Sequence, residues 1–156
     1  MESIETKDSV YYVYGGWIEG YLTSQNLLQK DTFDIAPWQS TGLLLKVTES
    51  ICKKQPELKF HQVMGMITAE LTPQKLSVGS QFVSVGTPDK PIVLQVEMIE
   101  RIQQALNSKG FGGVVDGVYG ESSRAAMKDF QSLRGLSVTG APDQGSLFEL
   151  FKPEKK

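Results

Sequence analysis

One cysteine, Cys52, and one histidine, His61, are all that the 156 residues provide of the two side chains most used to bind zinc. No disulfide can form within the chain. A zinc site built from Cys and His needs three or four such ligands, so no metal site is expected. Pro56 lies between Cys52 and His61, so a thiol–imidazole pair would need two elements to fold back on each other. A half-buried cysteine and a surface or capping histidine are expected instead.

An excess of one charge is also missing. Sixteen Lys and Arg stand against 18 Asp and Glu, for a net charge of −2. Residues 1–90 carry 8 basic and 10 acidic groups, and residues 91–156 carry 8 of each, so neither half hides a basic tail. Nucleic acid is therefore not an expected partner. The longest apolar runs, such as Gly42 to Leu45 and Ile92 to Leu94, fall far short of the roughly 20 residues that cross a bilayer, and membrane insertion is not expected. Met1-Glu2-Ser3-Ile4-Glu5 lacks the basic and apolar regions of a secretory signal. With 40% apolar and 22% charged residues, the composition is that of a folded globular chain.

Apolar spacing near three and four predicts helices throughout. Val10, Val13, Tyr14, Trp17, Tyr21 and Leu28 mark a first helix over residues 8–28, and Gly15, Gly16 and Gly20 within it point to close approach of a neighbouring helix. Leu43, Leu44, Val47 and Ile51 line a second, starting near Pro37 or Ser40 and stopping before Pro56. Pro56 is placed to open the third, with Leu58, Val63, Met64, Ile67 and Leu71 on one face. Gly79, Gly86, Pro88 and Pro91 then break the period in a stretch able to pair briefly as strands. Three more helices follow, carrying Ile99, Ile102 and Leu106, then Ala126, Met127 and Phe130, then Leu147, Leu150 and Phe151. The expected fold is all-α: a helical domain over 1–74, a Gly/Pro-punctuated linker over 75–92, a three-helix domain over 93–151 and a fraying tail over 152–156. No repeat of 20 to 50 residues is apparent.

The most informative string is Ile99-x-x-Ile102-Gln103-x-x-Leu106-x-x-x-Gly110-Phe111, then Asp116-Gly117-Val118-Tyr119-Gly120, then Ala126-Met127-x-x-Phe130-Gln131, closing with Gly135-Leu136 and Gly140. Asp116-Gly117 is a turn pair, and Gly120 stands at a helix N-cap with Glu121 favourably placed against the dipole. This pattern, over residues 93–151, resembles the three-helix peptidoglycan-binding domain attached to many bacterial cell-wall hydrolases. Ser123 stands where that family usually has Thr. The resemblance implies non-catalytic attachment to murein, with Asp116, Gly117, Tyr119, Gly120 and Gln131 as the ligand-binding set and no cofactor. Amide and carboxylate groups can bond N-acetyl and peptide groups, and an aromatic face can lie on a sugar. The same residues also have a structural reading, in which Asp116 and Gly117 build the turn, Tyr119 is core and Gln131 ties helices together.

Gly16-Trp17-Ile18-Glu19-Gly20-Tyr21-Leu22-Thr23-Ser24-Gln25-Asn26, followed by Cys52-Lys53-Lys54-Gln55-Pro56, is similar to small helical periplasmic proteins that include Rap/Tai-type immunity proteins. Members often have a second cysteine, which this chain lacks. Trp17 and Tyr21 are expected in the core, and Asn26 as a cap or interhelical hydrogen bond. Together the resemblances imply a periplasmic or cell-envelope protein that anchors a partner-binding helical domain to peptidoglycan, with a secretion signal removed ahead of Met1. A wall-anchored inhibitor of a toxin or hydrolase is the alternative, and a hydrolase accessory or enzyme the second; no catalytic residue stands out, and no enzyme is expected.

Overall fold

The computed structural model describes residues 9–87 and 90–152, and the side chain of Val10 lies outside this description. The residues before Ser9, and the expected tail from 153 on, lie outside it too. Among the described residues the architecture is mostly helical. The order is α1 (Ser9–Leu28), α2 (Thr41–Lys54), α3 (Phe60–Leu71), a 3-10 turn (Thr72–Gln74), β1 (Phe82–Ser84), β2 (Val93–Gln95), α4 (Val96–Ser108), α5 (Glu121–Leu133) and α6 (Gln144–Phe151). The chain divides into two compact units, Met1–Gly79 and Ser80–Lys156.

In the first unit α2 packs on both α1 and α3. The core consists of Ile18 and Leu22 from α1, Leu44 and Leu45 from α2, Val63, Met64, Ile67 and Leu71 from α3, and Ile35 from the intervening loop. The buried face of α1 differs from the expected one. Val13 is 68% exposed and Trp17 42% exposed, whereas Ile18 is fully buried. Apolar residues occur around most of this helix, so their period does not single out one side. Backbone approach helps to choose it: a Cβ on Gly15 would lie 3.3 Å from Thr41 Cγ2 of α2. Gly16 and Gly20 face open space, so of the three glycines only Gly15 serves close packing. Trp17 stacks on Tyr21 with ring centroids 5.2 Å apart, and the ring of Phe60 stands edge-on to it at 4.8 Å.

Local hydrogen bonds set the helix ends. Ser40 Oγ accepts from Leu43 N at 3.2 Å and caps α2, whose last turn carries Lys53 and Lys54 where cations complement the dipole. Helix α3 begins at Phe60 rather than at Pro56, because a turn first closes from Leu58 N to Gln55 O, and Gln62 Oε1 then accepts from Lys59 N at 2.8 Å. Asn26 Oδ1 accepts from Ile35 N at 2.8 Å and holds the loop after α1. Leu76 completes this unit: its carbonyl accepts from Phe33 N and Asp34 N, and its amide donates to Asp34 O. Cys52 is a half-buried free thiol and His61 is exposed.

In the second unit β1 and β2 pair antiparallel, with Phe82 opposite Gln95, Val83 opposite Leu94 and Ser84 opposite Val93. Helix α4 follows β2 directly and packs on both α5 and α6. The core gathers Met98, Ile99, Ile102 and Leu106 of α4, Ala126, Met127 and Phe130 of α5, and Leu147 and Leu150 of α6, with Val85 and Leu94 from the hairpin. Much of the segment read as a linker is thus ordered, Leu76 within the first unit and β1 within the second.

The surroundings of the α1 glycines predict opposite outcomes. Gly16→Ala and Gly20→Ala should each stabilise by up to ~1 kcal/mol, because an open helix position gains by losing glycine's flexibility. Gly15→Val should destabilise by about 1–3 kcal/mol, because its methyls would meet α2. Urea denaturation midpoints check both.

Candidate functional site

Two long connections, between α4 and α5 and between α5 and α6, carry the motif glycines, and neither has regular structure. Such loops have backbone groups that helix ladders leave unpaired, and each must find another partner. Gln103 on α4 supplies one set. Its Oε1 accepts from Asp116 N at 3.1 Å and Gly117 N at 3.0 Å. Its Nε2 lies within hydrogen-bond distance of Asp116 Oδ1 (2.9 Å), Ser123 Oγ (2.9 Å) and Val118 O (3.1 Å). The side chain is buried, so these bonds replace all of its water.

Gln131 on α5 does the same for the next connection. Its Oε1 accepts from Thr139 N at 2.9 Å and Gly140 N at 2.8 Å. Its Nε2 reaches Ser146 Oγ (2.8 Å), Ala141 O (3.0 Å) and Thr139 Oγ1 (3.3 Å). Every partner lies 23 positions after its counterpart: Asp116 and Thr139, Gly117 and Gly140, Val118 and Ala141, Ser123 and Ser146. The turns are internally alike as well. Asp116 Oδ1 accepts from Val118 N at 2.9 Å, and Thr139 Oγ1 from Ala141 N at 3.1 Å. Gly117 has φ +70° and Gly140 φ +71°, and helices begin just after Gly120 and Asp143. The second unit therefore contains a duplicated clamp, which corrects the reading that no repeat is present. Only Val115/Val138, Gly117/Gly140 and Ser123/Ser146 are identical between the copies from turn to serine, too little to register as a repeat by eye.

The expected ligand-binding residues fall into different environments. Asp116 is exposed, and its carboxyl is held below the ordinary range first by the Val118 N–H and then by the Gln103 amide. Gly117 is buried at positive φ, and a Cβ there would lie 2.6 Å from Val96 Cγ1. Gly120 is half-buried at the α5 N-cap. Tyr119 is buried; its hydroxyl donates to Gly140 O at 3.1 Å, Arg124 lies over its ring, and burial pushes its pKa well up. Gln131 is fully buried, and its amide is used up within the fold. The Tyr119 hydroxyl thus ties the first connection to the second from inside, and the Gln131 amide holds the second connection to α5. Gln103, left out of the expected set, is the counterpart of Gln131; its place in the motif beside Ile102 was the available signal. The surface of the loops is formed instead by Asp116, Thr139 and the exposed Val114, Val118 and Val138.

Residues 95–147 match the family model of the peptidoglycan-binding domain. This span covers both clamps and all three helix starts of the second unit. No curated protein and no solved structure matches the chain.

Gln103→Ala and Gln131→Ala should each cost about 2–4 kcal/mol, since each strands two backbone N–H groups on the loop it held. Gly140→Ala should cost about 1–3 kcal/mol, because φ is positive and the new methyl would lie 3.0 Å from Arg124 O. Thermal or urea melts check these losses. The lowered pKa of Asp116 means that its ionised form supports the fold at pH above the unfolded-state value. That support fades as pH falls through the lower folded value, so Asp116→Asn should flatten the acid limb of the stability profile.

Proposed function

We propose that residues 95–147, with their peptidoglycan-binding family match, make this chain a non-catalytic murein-binding protein of the bacterial cell envelope, resident in the periplasm. The match is the observation that carries the reading, because peptidoglycan lies outside the cytoplasmic membrane and a domain of this family implies envelope association. The geometry is consistent with it. Two buried amides hold two loops in a defined shape, and a preformed loop surface loses little entropy when it meets a polymer. Asp116 remains the proposed contact on the first loop, with the buried Gly117 and half-buried Gly120 fixing the turn that presents it. Tyr119 and Gln131 act as positioning residues behind them.

Residues 9–79 are proposed to engage a protein partner, such as a cell-wall hydrolase or toxin. Support comes from the large apolar side chains exposed on α1, among them Tyr12, Val13, Trp17, Leu27 and Leu28, which are of the kind that form the centre of an interface. Wall binding and partner binding in one chain would hold that partner at the wall.

Co-sedimentation of the full chain with purified sacculi tests the reading. The chain should pellet, and Asp116→Ala should lower the bound fraction about 2- to 10-fold, the effect of losing one hydrogen-bonding group. Sacculus turbidity should stay constant during the incubation. A folded chain left wholly in the supernatant would sink the proposal, and progressive clearing would replace binding with hydrolysis.

A further inference from the structure

Along the outer side of α4 runs an open groove of about 470 Å³ lined by Ser80, Val96, Glu97, Glu100, Arg101 and Gln104. The Asp116–Gly117 turn stands beside it: a Cβ on Gly117 would lie 2.6 Å from Val96 Cγ1 and 3.3 Å from Glu100 Oε1. Glycine at this point leaves room beside the Glu100 carboxylate that any other residue would fill. Arg101 Nη2 donates to Glu97 Oε1 at 2.6 Å, so that carboxylate is already neutralised. Glu100, half-buried, has no hydrogen-bond or ion-pair partner among the described residues. Two carboxylates and one guanidinium leave the lining with one net negative charge. Among the described residues no aromatic ring lines the groove, so they offer no flat apolar platform on which a sugar ring stacks.

We propose that this groove takes the free side-chain amine of a diamino acid in an un-cross-linked peptide stem of the wall. The ammonium pairs with Glu100, Gln104 offers its amide oxygen, and the methylene chain lies along Val96. A charged amine at the end of an aliphatic chain matches a lining that has one uncompensated carboxylate and one apolar side chain. The proposal rests on the murein-binding reading and deepens it, for it makes the peptide rather than the glycan the recognised part. The groove would then distinguish open stems from cross-linked ones, in which that amine has become a neutral amide.

The test uses the full chain and three soluble probes in titration calorimetry: a stem peptide with its side-chain amine free, the same peptide with that amine acetylated, and an N-acetylglucosamine oligomer. The free-amine peptide should bind. Acetylation, or Glu100→Gln in the protein, should weaken binding about tenfold or more, and the oligosaccharide should give no heat that Glu100→Gln removes. Glu100→Gln keeps the side-chain volume of a half-buried group, and an unchanged melting curve confirms that it folds. Equal binding of the free and acetylated peptides, or no effect of Glu100→Gln, overturns the groove assignment even when the wild-type chain still pellets with sacculi. Equal binding of an unrelated lysine-containing peptide of the same length overturns the wall as its source. Failure of the wild-type chain to pellet overturns the murein reading itself.

Discussion

A primary amide buried between a helix and a loop is the interaction on which the second unit depends. It can accept at one end and donate at the other, so one glutamine satisfies backbone N–H and C=O groups of the same turn. Gln103 and Gln131 both do this, each from a helix that precedes the loop it holds. Carboxylate side chains could not replace them, because they would bring a charge into a dry site and would lack the N–H donors. Apolar side chains could not either, since the loop amides would then be buried without partners.

The duplication gives the unit its economy of construction. Three helices enclose a small core, and two connections without regular structure would ordinarily be its weakest parts. With each connection fastened to the preceding helix, and Tyr119 of the first bonded to Gly140 of the second, the loops join one network. Glycines at positive φ complete it. Gly117 and Gly140 both sit at crowded positions where a side chain would collide with a neighbouring helix. Rigidity of this kind divides the unit, with buried amides and glycines fixing the shape of loops whose surface carries Asp116 and the exposed valines.

The first unit is built on a different principle. The loop after α1 is held by the side chain of Asn26 on Ile35 N and by backbone bonds between Phe33, Asp34 and Leu76. The unit's first helix leaves several large apolar side chains exposed, and the stacked Trp17–Tyr21 pair stands partly outside. Large apolar groups kept in water are costly, and α1 carries several of them on its exposed side.

Periodicity alone determined the helices, because the spacing of Ile99, Ile102 and Leu106, or of Val63, Met64, Ile67 and Leu71, admits only one regular structure that buries them together. The scarcity of cysteine and histidine excluded a disulfide and a zinc site of those residues without any coordinates. The string from Ile99 to Gly140 carried the resemblance to the peptidoglycan-binding domain, whose family model matches residues 95–147. Tertiary structure decided what distance along the chain conceals: which side of α1 faces inward, where α3 begins, and that Gln131 and Tyr119 point into the protein. It also decided that the turn at Thr139 copies the one at Asp116. An aspartate and a threonine look unlike as letters, yet each offers an oxygen at the same point to the same amide. Burial and hydrogen-bond partnership are properties of neighbours in space, and only the fold chooses those neighbours.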